Sequence, residues 1–234
     1  MALPTLNAAK YRTVIPSLNR EVEYRPYLVK EEKILMIAME SKDQGQILRA
    51  LKDVIKACVF DDIDVNKLAM FDLEALFLKL RGKSVGETTE IKIKCSQCEA
   101  ENHQEINFEE INMPVVTNQN NVIALTDDVG VTLKYPSVGG LEQQDQKASN
   151  VDQAMNMIVD CIESIYDANS VYSARDEGPK AVKDFVDSLN SAQFKKLTAY
   201  FEEMPAVTYD MNFNCIKCGE TNEMELRGFD NFFG

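Results

Sequence analysis

The chain has a single histidine, no nucleotide-cradling glycine motif, no long apolar run and a deficit of cations. Each shortage removes a class of function. No serine- or cysteine-centred catalytic constellation assembles around the lone His103. No Gly-x-x-x-x-Gly-Lys-Ser/Thr or Gly-x-Gly-x-x-Gly run is present, so the familiar phosphate cradles are missing. Lys and Arg number 25 against 38 Asp and Glu, a formal net charge of −13, whereas a polyphosphate ligand requires a concentrated basic patch. The densest basic stretch, Lys79-Leu80-Arg81-Gly82-Lys83, falls at an expected helix end, where cations favour the helix dipole. The composition thus speaks against a nucleic-acid partner. No apolar run approaches the roughly 18 residues of a membrane span. The N-terminal Met-Ala-Leu-Pro-Thr-Leu-Asn lacks the charged and apolar regions of a signal peptide. A soluble protein made in a reducing cytoplasm is expected. Cys58 and Cys161, on apolar helical faces, read as buried free thiols.

What the chain does have is two Cys-x-x-Cys knuckles, Cys95–Cys98 and Cys215–Cys218. Glu90-Ile91-Lys92-Ile93-Lys94 leads into the first and Asp210-Met211-Asn212-Phe213-Asn214 into the second, both with alternating polarity. An Asn follows each second Cys by four residues (Asn102, Asn222) and an aliphatic follows by eight (Ile106, Leu226). A strand–knuckle–strand unit written twice predicts a four-thiolate zinc ribbon with Cys95, Cys98, Cys215 and Cys218 around one structural Zn²⁺. Common ribbons separate their knuckles by roughly 15–20 residues. Here the second knuckle comes so much later that, if both share one ion, the intervening segment is an insertion, and either the metal is held firmly or the fold pre-aligns the strands to offset loop closure. Lys92, Lys94, Lys217 and Arg227 lie close enough in sequence to balance the thiolate charge. A redox dithiol is the main rival, and two separate two-Cys features are another. Redox pairs usually follow a strand and open a helix, and neither knuckle has a helical pattern after it. His103 is a substitute ligand in principle, but four cysteines suffice. A closed four-sulfur site serves stability rather than catalysis.

The expected fold class is α+β: a helical N-terminal domain plus a discontinuous four-cysteine zinc-ribbon β domain carrying a mostly helical insertion. Residues 1–28, interrupted by Pro4, Pro16 and Pro26, read as an extended N-terminal arm. Residues 29–86 read as a helical domain, with Ile47, Leu48, Leu51, Val54, Ile55 and Cys58 at helical spacing. Residues 87–113 and 206–228 are the ribbon halves. Residues 114–205 form the insertion, with a β-hairpin around Asp127-Asp128 and then helices. Met155, Ile158, Val159, Ile162 and Ile165 fall on one predicted helical face. Residues 229–234 are an aromatic C-terminal tail. The apolar arm packs on its own domain or on a neighbour, and the tail either folds back on its domain or anchors a partner, where exposed aromatics concentrate binding energy. For the partner case the candidate contacts are Tyr11 and Ile15 in the arm and Phe229, Phe232 and Phe233 in the tail.

A family resemblance adds to this reading. Tyr27 to Ser41 (Tyr-Leu-Val-Lys-Glu-Glu-Lys-Ile-Leu-Met-Ile-Ala-Met-Glu-Ser) resembles the opening block of a baseplate protein family of T-even-type myoviruses, which includes the baseplate hub assembly protein. Ile63 to Leu68 and Phe71 to Gly86 resemble its second block, and the family pattern continues into a strand and a knuckle, as here at Cys95–Cys98. The resemblance covers residues 27–98, with weaker support at the second knuckle. It implies a non-enzymatic structural or assembly protein of a contractile phage tail baseplate, near the central hub. Its partners would then be other baseplate or hub proteins, with a homo-oligomer left open. It would reside in the host cytoplasm during assembly, and in the virion if incorporated.

Overall fold

The computed structural model describes residues 8–116, 121–143 and 148–228. The chain divides into two compact units, one made of Met1–Val115 with Pro205–Gly234, the other of Val116–Met204. Among the described residues it is a mixed α and β protein with seven helices and several small antiparallel sheets.

The first unit opens on a hairpin where an extended arm was expected. Strands β1 (Tyr11–Ile15) and β2 (Arg20–Tyr24) pair antiparallel from Tyr11↔Tyr24 to Ile15↔Arg20. Asn19 closes the turn at φ 46°, a left-handed conformation that Asn tolerates better than most residues. Further contacts tie the hairpin down. Arg25 N–H donates to the Cys58 carbonyl at 3.0 Å, Phe60 N–H donates to the Glu23 carbonyl at 2.9 Å, and Tyr24 bridges to Val59. Pro16 and Pro26, which suggested an extended segment, instead stand outside the two paired strands.

Helix α1 (Val29–Ser41) begins where Glu31 reaches back to the Leu28 N–H at 2.8 Å. Asp43 caps α2 (Gln44–Cys58) through the Gln46 N–H at 2.8 Å. A 3₁₀ turn at Val65–Lys67 leads into α3 (Met70–Ser84). Leu73, Leu76, Phe77, Leu78 and Leu80 of α3 are all buried, the mark of a central helix rather than a surface one. Each such burial contributes about 1.5–3 kcal/mol. The buried Glu31 also takes the Arg25 guanidinium at 2.9 Å. Burial pushes its carboxyl up, but Arg25 and the Leu28 N–H outweigh this and hold it below its ordinary value of 4.5. Ionised Glu31 therefore stabilises the fold above the unfolded pKa, and that contribution is lost as pH falls through the folded one. The gap in urea midpoint between wild type and Glu31→Gln should be widest near pH 7 and close as pH falls below the ordinary glutamate value and then through the lowered folded one. A gap that is constant with pH would assign the loss to packing instead.

The chain then forms the first knuckle hairpin, β3 (Thr88–Lys94) and β4 (Glu101–Asn107), paired from Thr88↔Asn107 to Lys94↔Glu101. The second unit follows. Its sheet has order β5-β6-β7-β8, all antiparallel, from β5 (Val122–Ala124), β6 (Gly130–Leu133), β7 (Ile162–Tyr166) and β8 (Val171–Ser173). The helices are α4 (Val138–Gln143), α5 (Asn150–Cys161), α6 (Ala174–Asp187, kinked at Gly178 with φ 83°) and α7 (Ser191–Glu202). Ile162 and Ile165 do not continue the α5 face. The helix stops at Cys161, and Val131↔Ile165 and Thr132↔Ser164 pair in the sheet, where β-branched side chains pack well. Leu125, Val131, Leu133, Ile158, Ile162, Val182 and Leu197 form this unit's core. A side chain at Gly130 would meet the Tyr166 ring and the Ile123 carbonyl, so only glycine fits in β6 there.

The chain returns to the first unit in β9 (Thr208–Asn214) and β10 (Thr221–Arg227), paired from Asn214↔Thr221 to Thr208↔Arg227. Ile91, Ile93 and Ile106 of the first knuckle hairpin share one buried cluster with Met211, Phe213 and Leu226 of the second, together with Ala75 and Leu78 of α3. The two hairpins are thus packed on each other, and an Asn112↔Thr208 bridge joins their chains.

Candidate metal centre

Each knuckle is the turn of its hairpin. In the first, Cys95 N–H donates to the Ala100 carbonyl at 2.9 Å and Glu99 N–H to the Cys95 carbonyl at 3.0 Å. The second repeats this with Cys215 N–H on Glu220 at 2.8 Å and Gly219 N–H on Cys215 at 2.9 Å. The residue after each second Cys is left-handed, Glu99 at φ 55° and Gly219 at φ 76°. Glycine takes that conformation freely and glutamate does so at a cost. This turn folds each Cys pair inward so that both sulfurs face the other hairpin.

The four sulfurs meet. Cys95, Cys98, Cys215 and Cys218 Sγ all lie within 4.8 Å of one another. Cys95 Sγ is 3.7 Å from Cys218 Sγ, and Cys98 Sγ is 3.6 Å from Cys215 Sγ. A tetrahedral ion with Zn–S bonds of about 2.3 Å requires sulfur–sulfur edges of about 3.8 Å. The donor set and its spacing therefore fit a divalent ion. Cys95 and Cys215 are buried, Cys98 is half-buried and Cys218 is exposed, so the centre lies at the edge of the unit.

N–H groups converge on the two buried sulfurs. Gln97 N–H points to Cys95 Sγ at 3.4 Å and Lys217 N–H to Cys215 Sγ at 3.4 Å. Asn222 Nδ2 approaches Cys95 Sγ at 3.5 Å and Asn102 Nδ2 approaches Cys215 Sγ at 3.7 Å. The Cys218 and Lys217 N–H groups lower the Cys215 thiol to about 6, and those of Cys98 and Gln97 lower Cys95. Cys218 receives the Glu220 N–H, which favours its thiolate, but the neighbouring sulfurs, Cys98 first, push it up to about 12. Backbone and side-chain amide dipoles thus favour the charged form of both buried sulfurs.

The other sequence candidates fall elsewhere. His103 lies on the exposed side of β4, its Nδ1 at 2.5 Å from Glu90, and is not part of the sulfur cluster. Ile15 is fully buried, so the arm residue expected to meet a partner belongs to the unit's own interior. Tyr11 is partly buried, tilted against Tyr24 at 5.8 Å between ring centroids. Phe229, Phe232 and Phe233 lie outside the described residues. Cys58 and Cys161 are buried thiols, raised to about 11 and about 12 by desolvation. No described helix is long and apolar enough to cross a membrane. The apolar residues that α1 turns outward were missed as candidates. Val29, Ile34, Met36, Ile37 and Met39 are exposed, and their only signal was an apolar pattern too broad for one helix face.

Fold and site together define a mixed helix-and-sheet protein whose two distant knuckles close one thiol centre. The family described as T4 bacteriophage base plate protein matches residues 8–234, and the chain belongs to that family. Comparisons with curated proteins and with solved structures give no match. Membership makes this a phage baseplate structural protein of the virion tail, with other phage proteins as its partners.

Proposed function

We propose that the protein builds the central hub region of the baseplate, or its assembly, without catalysing a reaction. It acts by protein–protein contact and is stabilised by a structural zinc. The family match across residues 8–234 carries the baseplate reading. The hub position rests on the resemblance of Tyr27–Ser41, Ile63–Leu68 and Phe71–Gly86 to a baseplate family that includes the hub assembly protein. The outward apolar residues of α1 support the contact role, because large apolar groups clustered on a surface mark interaction sites. Cys95, Cys98, Cys215 and Cys218 would hold the zinc, which would bind the two hairpins and offer no open position to a substrate. During assembly the chain would be in the host cytoplasm.

The test is a tagged copy in infected cells, followed through tail assembly. Recovery in baseplate-sized particles, with label at the centre of the disc in electron micrographs, is the expected result. Label at the periphery would overturn the hub position, and absence from every assembly intermediate would overturn the scaffold role.

A further inference from the structure

Only four polar or charged side chains are fully buried among the described residues, and two of them are Asn102 and Asn222. Burying a primary amide is costly unless each donor and acceptor is met. Both amides are met in the same way, across the gap between the hairpins. Asn102, on β4, donates to Ala100 O at 2.8 Å in its own knuckle. It accepts the Ile216 N–H at 2.9 Å and points its second N–H at Cys215 Sγ, both in the opposite knuckle. Asn222, on β10, donates to Glu220 O at 3.0 Å, accepts the Ser96 N–H at 2.9 Å and points at Cys95 Sγ. Ser96 Oγ adds a bond to the same oxygen at 2.9 Å.

Building on the zinc reading, we infer that Asn102 and Asn222 are positioning residues that set the four sulfurs for the metal before it binds. Each locks the backbone of the opposite knuckle by one bond and orients that knuckle's buried thiolate by another. The clasp is reciprocal, so neither hairpin can slide or rotate without breaking both amides' bonds. It meets the difficulty raised by the long separation of the knuckles: the sulfurs are brought into register by the protein, and the ion need not gather two free loops. Side chains that orient metal ligands typically account for 10–100-fold in affinity.

The experiment uses the full chain with Asn102→Ala, Asn222→Ala and Asn102→Asp, each checked for intact helices by circular dichroism. Zinc affinity is read by chelator competition and ligand geometry by the visible spectrum of the cobalt-loaded protein. Amide exchange is measured on the chelated protein. Each Ala variant should still load about one metal but bind it roughly 10–100-fold more weakly. Exchange should accelerate crosswise: at Ile216 in Asn102→Ala, and at Ser96 in Asn222→Ala. Asn102→Asp keeps an acceptor for Ile216 but turns an oxygen towards Cys215. It should shift the cobalt–thiolate bands while Ile216 stays protected. Unchanged affinity, or exchange that rises only in the substituted residue's own knuckle, would overturn the inference. If the wild-type chain takes up no metal, the zinc reading fails by itself, and the crosswise exchange pattern still decides the clasp.

Discussion

Cys95→Ser and Cys215→Ser are each expected to release the zinc and loosen both knuckle hairpins together. Cys95 and Cys215 come from different hairpins yet share one sulfur cluster, so losing either would remove a zinc held by all four from both hairpins. Elemental analysis should fall from about one zinc per chain to background. Binding only the folded state stabilises it by about 4.1 kcal/mol when free metal is 1,000 times Kd, so at least that much stability should be lost under such conditions. Cys218→Ser separates metal from packing, because that side chain is exposed while Cys95 and Cys215 are buried. It should lose zinc as completely, with less damage to the metal-free protein. Zinc retained in both Cys95→Ser and Cys215→Ser would end the shared-site reading. Thiol titration of the wild type gives the complementary result, with the four knuckle thiols reacting only after chelation.

The second large effect is expected at Asp72→Ala. Asp72 is fully buried on α3, and its carboxylate accepts Ser17 N–H at 2.8 Å, Ser17 Oγ–H at 2.5 Å and Ala69 N–H at 3.0 Å. One side chain thus starts α3 and holds the turn between β1 and β2 against it. Alanine would leave these three donors without their acceptor, and each orphaned buried group costs about 1–3 kcal/mol. A loss of about 3–5 kcal/mol is the expected result by urea unfolding, with faster amide exchange at Ser17 and Ala69. Asp72→Asn should lose less, since one carbonyl oxygen remains to accept. A change under about 1 kcal/mol would show that water or a rearranged turn replaces the carboxylate.

The readings that succeeded rest on local signals. Helical spacing from Ile47 to Cys58 follows from the geometry of one helix, and α2 lies there. The alternation around each Cys pair likewise marks strands whose inward residues are Ile91, Ile93, Met211 and Phe213. The misreadings arose where distant residues decide the outcome. Residues 11–24 have too little periodicity to declare a hairpin, and their pairing is secured by Cys58, Val59, Phe60 and Asp72. Ile162 and Ile165 suit either a helix face or a strand, and only pairing with β6 chooses between them.

By itself the sequence determined what short-range chemistry determines: the main helices, the strand–knuckle–strand units, the paired cysteines, and the family blocks between Tyr27 and Gly86. The tertiary structure decided which knuckle meets which, because sulfur-to-sulfur distance is a property of packed hairpins and not of spacing along the chain. It also gave Asn102 and Asn222 their meaning. Their matching positions were visible beside the cysteines, but an amide's bonding partners are chosen by the surface it is buried against, and here that surface belongs to the other half of the chain.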